Sequence, residues 1–334
     1  MTRTLIIAEA GVNHNGSYEL ACRLVDDAAE AGADIVKFQT FVPELTVSAT
    51  APKAAYQTRN DGAGSQLDML RGLSLTFDEH RRLRDYCAAR GIEYLSTAFD
   101  MPSIELLASM DCRLWKIPSG EVTNYPYLVK IASMGRPVIM STGMCTEAEI
   151  DDAIGVLTGA GLDRSLITLL HCTTEYPAPP ADVNLRCIPA MRSRYGLPVG
   201  YSDHTRGIEI PVAAVALGAP VIEKHFTLSR DMPGPDHRAS LEPAELSAMV
   251  SAIRNVEAAL GDGRKRVAAS EAPNRAVARK SIVAAADIRR GEPFTDSNLT
   301  TRRPGDGLSP MLWPRIIGTP APRDFAAGEQ ITLQ

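Results

Sequence analysis

Aromatic residues, membrane-length apolar runs and paired cysteines are all scarce in this chain of 334 residues. Aromatics make up 5% of it, and no Lys/Arg-rich block is interleaved with them, which argues against a nucleic-acid surface. No apolar run has the length of a bilayer span, and the first one is too short for a signal peptide. We therefore expect a cytoplasmic protein with neither a membrane nor a nucleic-acid partner.

The six cysteines form no C-x-x-C pair, so neither a zinc ribbon nor a dithiol redox motif is indicated. We expect reduced thiols packed in apolar surroundings, and we place Cys172 on the outward face of its predicted strand. The formal net charge is −5. An acidic protein that binds an anion must place positively charged side chains close together at the binding site. A lysine inside a predicted strand is therefore a candidate anion-binding residue.

A G-x-G-x-x-G turn is also missing after the first predicted strand, which disfavours a doubly wound dinucleotide-binding sheet. Short apolar runs alternate with amphipathic stretches, and eight strand–helix units fit the length of a (β/α)8 barrel. We predict an α/β fold with this TIM barrel over residues 1–262, and a doubly wound sheet is the second candidate. The predicted strands cover residues 5–11, 34–40, 93–99, 114–120, 137–143, 167–173, 198–204 and 221–227.

The composition changes after Gly261. Residues 263–279 are polar and rich in small residues, which is typical of a linker. The remaining residues, 280–334, contain two related segments, DIRRGEPF (287–294) and DFAAGEQI (324–331), with the shared pattern D-Φ-x-x-G-E-x-Φ. Two copies indicate a small pseudo-symmetric β-rich domain. Because its hydrophobic core would be small, we expect it to be more stable when packed against a larger domain.

Polar side chains recur on one face of the predicted strands, near their C-terminal ends. Successive side chains of a strand point to opposite faces, and barrel enzymes gather their catalytic groups at the C-terminal ends. In VIEKHFT (221–227), Glu223 and His225 oppose Ile222 and Phe226. Burying so many polar groups at one end is costly unless a ligand binds there, so we predict an active site. The other strands contribute Glu9, Lys37, Gln39, Thr97, Lys116, Ser141, His171, Thr173, Ser202 and His204.

The residue types of this set indicate an anionic substrate. Lys37 and Lys116, with neighbouring hydroxyl groups, suit a multiply charged anion such as a phosphate-bearing carboxylate. The carboxylates of Glu9, Glu121 and Glu223 are candidates for a general base, for binding a sugar hydroxyl or for supporting other groups.

His204 and His225 lie on adjacent predicted strands and form the best candidate pair for a divalent metal acting as a Lewis acid. The residues alone leave an acid–base or a structural role open for this pair. Asp203 and Lys224 fall on the apolar face of the same strands, and we expect them at the rim of the site or supporting it.

Three further histidines receive separate interpretations. His80 lies in a polar helical stretch and is expected on the surface. His14 follows the first strand on a loop near the site. His237 neighbours Asp236 and is a candidate for contact with the substrate.

Eight segments, in this order, resemble the sialic acid synthase family: AEAGVNHNGS, VKFQT, KIPSGE, STGM, HCTTEYPAP, GYSDHT, EKHFT and MPGPD. The tail, with its RRPGDG segment, resembles the antifreeze-like (SAF) domain of that family. The resemblance implies a TIM barrel followed by a β-rich SAF domain. The family condenses phosphoenolpyruvate with an open-chain N-acylated hexosamine to a nine-carbon 2-keto acid and phosphate, and it requires a divalent metal, usually manganese or magnesium.

The resemblance also assigns roles by position. It makes His204 and His225 the metal ligands, and Glu121 the acidic residue that handles water or the sugar. The implied catalytic residues are Glu121, Lys116 and Glu9. The implied phosphoenolpyruvate-binding residues are Lys37, Thr97, Lys116, Ser119, Ser141 and Ser202. The implied sugar-binding residues are Glu9, Gln39, Thr174, Tyr176, Asp236 and Arg303. Because Arg303 would come from the SAF domain of a partner subunit, a domain-swapped homodimer is expected.

The segment after HCT distinguishes branches of the family. Where N-acetylneuraminate synthases commonly have asparagine, this chain has Thr174 followed by Glu175. This pair resembles the legionaminate-type bacterial enzymes, whose substrate is a 6-deoxy diacetamido mannose. We therefore expect the legionaminate type, with the N-acetylneuraminate and pseudaminate types as the next alternatives.

Two other functions fit parts of the sequence. A Schiff-base aldolase would use Lys116 or Lys37 as nucleophile and would be trapped by borohydride with pyruvate. A sugar- or ice-binding module would rely on the tail, which has no regular threonine array, and would leave the cations of the barrel unused. Phosphate release from phosphoenolpyruvate separates these functions from the synthase.

Overall fold

Eight short strands, rich in aliphatic residues, form one parallel sheet in the N-terminal unit. The structure is a computed structural model that describes residues 3–334. The strands are β1 (Leu5–Gly11), β2 (Ile35–Thr40), β3 (Glu93–Ala98), β4 (Trp115–Ile117), β5 (Val138–Ser141), β6 (Ile167–Cys172), β7 (Val199–Asp203) and β8 (Val221–His225). They hydrogen-bond in the order β3-β2-β1-β8-β7-β6-β5-β4, and β3 lies beside β4 where the ends of the row meet. The predicted TIM barrel is confirmed, and the doubly wound sheet is excluded.

Helices connect these strands. They are α1 (Tyr18–Glu30), α2 (Pro43–Thr46), α3 (Ala55–Asp61), α4 (Gln66–Leu73), α5 (Phe77–Arg90), α6 (Met101–Ser109), α7 (Tyr125–Ala132), α8 (Glu147–Gly159), α9 (Cys187–Tyr195), α10 (Glu209–Ala216) and α11 (Pro243–Leu260). Their starts follow local rules: at α5, Thr76 Oγ1 accepts from the Glu79 N–H (3.3 Å) and the Glu79 carboxylate accepts from the Thr76 N–H (2.7 Å). None of the helices within residues 3–334 is both long and apolar enough to cross a bilayer.

A ring of apolar side chains closes the lower part of the barrel interior. Its members are Ile7, Ile35, Leu95, Leu114, Ile139, Leu170 and Val221. On β7 the residue at this level is Gly200, which pairs with Leu170 of β6. A Cβ atom there would lie 2.4 Å from the carbonyl oxygen of Val221, so only glycine fits. The interior is therefore packed, and any cavity has to lie above this ring.

The C-terminal unit spans Asp262–Gln334. It contains α12 (Ala272–Ala278), which lies within the predicted linker, and then β9 (Ser281–Ala284), β10 (Leu299–Arg302) and α13 (Trp313–Ile316). Strands β9 and β10 pair antiparallel. A small core of its own fills this unit: Ile282, Ala284, Ile288, Phe294, Leu299, Ile316, Ala321, Phe325 and Ile331.

The repeated segments of this unit are related by reciprocal contacts. Ile288 and Phe325 exchange two backbone hydrogen bonds of 2.8 Å each. The Asp287 carboxylate accepts from the Ala327 N–H at 2.9 Å, and the Asp324 carboxylate accepts from the Arg290 N–H at 2.6 Å. The two copies therefore hold each other through equivalent positions, as the sequence repeat predicts.

Candidate active site

A second ring of interior side chains lies two positions further along each strand, and this ring is polar. Its members are Glu9, Lys37, Thr97, Lys116, Ser141, Cys172, Ser202 and Glu223, one from each strand segment. All eight line a cavity of about 530 Å³. Seven of them are residues that the alternation pattern predicts to share the interior face. The cavity floor is therefore built from the interior position of each strand that directly follows the apolar ring.

Glu223 lies between two lysines in this ring. Its Oε2 atom is 3.6 Å from Lys37 Nζ and its Oε1 atom is 3.7 Å from Lys116 Nζ. Ser202 Oγ donates to Oε1 at 2.9 Å. Although burial opposes ionisation, the charges of Lys116 and Lys37 hold the pKa of Glu223 below its usual value. The carboxylate thus keeps both ammonium groups near the centre of the floor.

Lys37 has a second carboxylate partner. Its Nζ atom lies 2.7 Å from Glu9 Oε2 and donates to Thr97 Oγ1 at 3.1 Å. Burial acts to lower the pKa of Lys37, but Glu223 and Glu9 outweigh it and raise that pKa. Burial raises the pKa of Glu9 to about 7, against the opposing charge of Lys37. Glu9 can therefore hold or release a proton near neutral pH.

Lys116 differs from Lys37 in its surroundings. Its Nζ atom donates to Ser141 Oγ at 2.7 Å and to the Ile117 carbonyl at 3.3 Å. Burial lowers the pKa of Lys116, and Glu223 offsets only part of this shift. With Ser141 beside it, this ammonium group has donors available to an anion entering the cavity.

Cys172 lines the cavity, so its interpretation as an outward packing residue was wrong. Its Sγ atom lies 3.3 Å from Ser119 Oγ, which accepts from the Gly143 N–H at 2.8 Å. A Cβ atom on Gly143 would approach Thr174 Cγ2 to 2.6 Å and Cys172 Sγ to 2.9 Å. The glycine lets these three segments converge, and it holds the Ser119 hydroxyl at the edge of the cavity.

His171 points away from the cavity, opposite to its predicted side. Its Nε2 atom is 2.6 Å from the Val183 carbonyl oxygen, and its ring lies 5.9 Å from the Tyr201 ring in the outer core. Thr173 shares this side and donates to the Asp182 carbonyl at 3.3 Å. The pattern failed on β6 because Leu169 and Leu170 are both apolar, so the strand gives no alternation to follow.

His204 and His225 meet one level above the polar ring, with ring centroids 5.4 Å apart. His204 Nδ1 donates to the Thr173 carbonyl at 2.6 Å, which leaves its Nε2 atom as a free electron-pair donor. The His225 Nδ1 atom is buried without a partner in residues 3–334. Burial lowers the pKa of both rings, which favours the neutral form that binds metals.

This pair therefore fits a divalent ion for which the protein supplies two nitrogen ligands. No group of three or more His, Cys, Asp or Glu side chains in the described residues could hold a metal. The remaining ligands would have to be water or substrate oxygens, as suits a catalytic rather than a structural site.

The predicted sugar-binding residues lie around the histidine pair. Tyr176 packs on His204 (4.1 Å between centroids) and edge-on against His225 (5.6 Å). Tyr56 of α3 stacks on Tyr176 at 4.9 Å and was missed, since no periodic pattern connects this loop segment to the site. Asp236 lines the same cavity, and burial raises its pKa to about 6.

Two contacts hold α3 near the site. Arg59 pairs with Glu175 at 2.6 Å, and Asn60 Nδ2 donates to the Pro235 carbonyl at 2.7 Å. Gln39, whose Nε2 atom is 3.4 Å from Glu9 Oε1, and Thr174 complete the predicted set on this unit. The loops after β2, β6 and β8 therefore converge at one mouth.

Two predicted residues lie elsewhere. Glu121 ends a short 3-10 turn, Ser119–Glu121, and its carboxylate accepts from Asn124 Nδ2 at 2.5 Å. Among the described residues, Gly120 lines the cavity but Glu121 does not. Arg303 belongs to the C-terminal unit, where it is exposed and its Nε atom donates to the Ala278 carbonyl at 2.9 Å. Their roles stay predictions.

The three other histidines are structural in their contacts. His80 is fully buried, with Nδ1 2.9 Å from the Tyr94 hydroxyl, so its expected surface position was wrong. His14 is buried behind β2, where Nδ1 accepts from the Gly16 N–H at 3.1 Å and the ring lies near Phe38.

His237 uses both ring nitrogens within the protein. Nδ1 lies 2.6 Å from Thr227 Oγ1 and Nε2 lies 3.1 Å from Asn15 Oδ1. Among the described residues, the cavity lining includes the neighbouring Asp236 but not His237. Its contacts therefore explain its presence without a substrate.

Asp203 and Lys224 are not at the rim. Both side chains are fully buried on the outer face of β7 and β8, each one residue before His204 or His225 in the sequence. Their contacts with each other replace solvent, which is why charged residues occur on the apolar face of these strands.

Comparison with known proteins matches both units of the chain. The NeuB family model matches residues 24–265, and the SAF domain model matches residues 279–334. The N,N'-diacetyllegionaminic acid synthase of Campylobacter jejuni is 50% identical, over 99% of this chain and 99% of its own. The synthase of the same name from Legionella pneumophila is 46% identical, over 97% of this chain and 92% of its own.

A solved structure shows the same likeness. The N-acetylneuraminic acid (sialic acid) synthetase of Leptospira borgpetersenii, in complex with citrate, has a TM-score of 0.73 and 33% identity. The match covers 82% of this chain and 90% of that chain.

Proposed function

Because the chain belongs to the NeuB family, we propose that it is a synthase that joins phosphoenolpyruvate to an N-acylated mannosamine-type sugar. The products are a nine-carbon 2-keto acid and phosphate. We assign it more closely as an N,N'-diacetyllegionaminate synthase, since relatives with that name are 50% and 46% identical to it. The observation that carries the proposal is the vertical order of the cavity: two lysines at the floor and two histidines one level above.

The floor suits phosphoenolpyruvate. Lys37 and Lys116 supply two positive charges. The hydroxyl groups of Thr97 and Ser141 accept from these lysines and can donate their own O–H groups to an anion, whereas Ser202 donates to Glu223. A small molecule that carries both a phosphate and a carboxylate can accept several such charge-assisted hydrogen bonds. Because these groups are buried and held by each other, they are already oriented when the substrate enters.

The histidine pair would take the sugar end of the reaction. Nε2 of His204 and a ring nitrogen of His225 would hold Mn²⁺ or Mg²⁺, which when bound supplies Lewis-acid polarisation of the sugar aldehyde. Tyr176, against both rings, would orient the sugar there. Asp236 and Gln39 would accept from and donate to its hydroxyl groups.

Bond changes then follow from this order. Carbon 3 of phosphoenolpyruvate bonds to the aldehyde carbon of the sugar, and the aldehyde oxygen takes up a proton to become a hydroxyl group. Water adds at carbon 2 and gives up its protons as the C–O bond to phosphate breaks, which leaves the 2-keto group and phosphate. Among the predicted catalytic carboxylates, Glu9 lines the cavity and has a pKa of about 7. We therefore assign proton transfer to Glu9, while a role for Glu121 in handling water stays a prediction.

Phosphate release with a panel of three sugars tests the proposal. The panel consists of the 2,4-diacetamido-6-deoxy mannose-type sugar, its pseudaminate-type isomer and N-acetylmannosamine, with mass spectrometry of each product. We expect sugar-dependent phosphate release that is fastest with the first sugar. A clear preference for N-acetylmannosamine would overturn the closer assignment. Borohydride trapping of Lys116 with pyruvate, without phosphate release, would instead support an aldolase.

We also propose that Arg303 of a partner subunit completes the sugar site in a homodimer. Mixing two inactive variants, Arg303→Ala and Lys116→Met, tests this. If Arg303 acts across subunits, a mixed dimer contains one barrel with Lys116 that receives an intact Arg303, so activity returns. If it acts within its own chain, no site is complete and activity stays absent. The expected cytoplasmic location stays a prediction that cell fractionation can test.

A further inference from the structure

One side of the cavity is apolar above the polar ring. Phe99 lies two residues beyond Thr97, and Phe41 lies two residues beyond Gln39, so both continue the inward face past the strand ends. Their rings meet edge-on at 6.3 Å. These two rings belong to a cluster of six apolar residues that all line the cavity, and we call this cluster the apolar wall. Its members are Val12, Phe41, Met69, Leu70, Leu73 and Phe99.

The apolar wall is separate from the cores of the barrel. Its four buried members form a cluster distinct from both the interior ring and the layer beneath the helices. Leu70 and Phe99 remain only partly buried, with their surface on the cavity. Three wall residues, Met69, Leu70 and Leu73, come from α4, in the long segment between β2 and α5. In this fold, loops at the C-terminal ends of the strands select the substrate.

The position of the apolar wall relative to the lysines and the histidines indicates which part of a bound substrate could contact it. The lysines occupy the floor, and the histidine pair lies above β7 and β8. The wall rises on the side of β2 and β3, where Gln39 separates Phe41 from the floor. A sugar whose carbonyl end reaches the histidines can therefore place other substituents against this wall.

We propose that the apolar wall determines sugar specificity by receiving methyl-bearing substituents of the sugar. This inference rests on the proposed function and deepens it. A methyl group gains from leaving water for such a surface, whereas a hydroxyl group placed there loses its hydrogen bonds to water without replacement. The wall thus favours a 6-deoxy sugar with a second acetamido group over N-acetylmannosamine, which has a hydroxyl group at carbon 6.

Leu70→Gln tests this proposal, because glutamine keeps the helix propensity of leucine but places a polar amide on the wall. The measurement is kcat/KM for the diacetamido 6-deoxy sugar divided by kcat/KM for N-acetylmannosamine. We expect this ratio to fall about tenfold or more, through KM of the first sugar, with KM for phosphoenolpyruvate unchanged. Leu70→Met, which keeps the surface apolar, should retain the wild-type ratio.

A matched control comes from the same segment. Leu45 of α2 is 60% exposed and is not among the described residues that line the cavity, so Leu45→Gln should leave the ratio unchanged. If Leu70→Gln does not fold, as circular dichroism would show, Phe99→Tyr adds a hydroxyl group elsewhere on the wall. It should shift the ratio in the same direction.

The outcomes separate this inference from the proposed function. A wild-type protein that prefers the diacetamido sugar, with an unchanged ratio in Leu70→Gln and Phe99→Tyr, would overturn the role of the wall alone. Equal losses with both sugars would overturn it too, because they indicate a structural effect. A wild-type protein that prefers N-acetylmannosamine, or uses neither sugar, would overturn the closer functional assignment and the inference with it.

Discussion

Lys224 and Asp203 form an ion pair of 2.5 Å between neighbouring barrel strands, with both side chains fully excluded from solvent. The Asp203 carboxylate also accepts from the Tyr201 hydroxyl at 3.1 Å and from the Thr205 N–H at 3.0 Å. Lys224 further donates to the Thr205 carbonyl. These contacts satisfy both charges and fix the ends of β7 and β8, where His204 and His225 begin the site.

Replacing one partner of this pair should be strongly destabilising. Lys224→Met leaves the Asp203 charge buried and unpaired, so we expect the free energy of unfolding to fall by about 3–5 kcal/mol in urea denaturation. Lys130→Met, which breaks a surface pair with Glu105 (3.7 Å), should cost no more than about 1 kcal/mol. A similar, small effect of both substitutions would contradict the role of the buried pair.

Lys116→Met should weaken phosphoenolpyruvate binding in the absence of sugar. The variant removes one charged donor from the floor while Lys37 still pairs with Glu223. A hydrogen bond to a charged group contributes about 1.5–3 kcal/mol, so we expect the Kd from calorimetry to rise about 10- to 150-fold. The Lys130→Met variant controls for loss of a positive charge far from the cavity. An unchanged Kd for Lys116→Met would place the phosphate elsewhere.

Asp236 should make the protein less stable as the pH rises. Burial raises its pKa to about 6 in the folded state from an ordinary value of 3.8, so folding takes up a proton between these values. The stability penalty grows as the pH rises through this window and is complete above about 6, where it reaches about 2–3 kcal/mol. Asp236→Asn should therefore be more stable than the wild type at pH 8. At pH 4 this gain in stability should be much smaller.

The same substitution should impair the sugar site. We expect a higher KM for the sugar in Asp236→Asn, and a wild-type KM that falls as the pH rises through about 6 and the carboxylate forms. Urea unfolding at the two pH values gives the stability difference, and steady-state kinetics gives KM. If the variant shows the same stability difference at both pH values, the folded-state pKa of Asp236 is not raised.

Replacing His204 and His225 together by glutamine should abolish tight Mn²⁺ binding. The structure offers two neutral ring nitrogens with no third protein ligand among residues 3–334. Electron paramagnetic resonance of free Mn²⁺ measures the binding directly, without turnover. His171→Gln, whose ring faces the outer core, is the matched control and should bind Mn²⁺ like the wild type. Undiminished Mn²⁺ affinity in the double variant would refute the metal site.

The barrel and most of its floor are predictable from the sequence because strand alternation is a local property. Wherever apolar residues mark one face, as Val36 and Phe38 do on β2, the other face follows, and it places Lys37 inside. The same alternation places Glu223 and His225 on one face of β8. The resemblance to known synthases adds roles to these positions but does not change their geometry.

Tertiary structure determined the features that the local alternation of residues does not encode. On β6, adjacent leucines gave no alternation, and only packing in the barrel turned Cys172 inward and His171 outward. Tyr56 reaches Tyr176, and the apolar wall faces the cavity, because loop segments dock against distant strands. Docking of this kind depends on surfaces that exist only after the barrel has closed. The sequence alone therefore determined the strands and the faces of those whose residues alternate, whereas the folded chain determined the face of β6 and which loops cover the site.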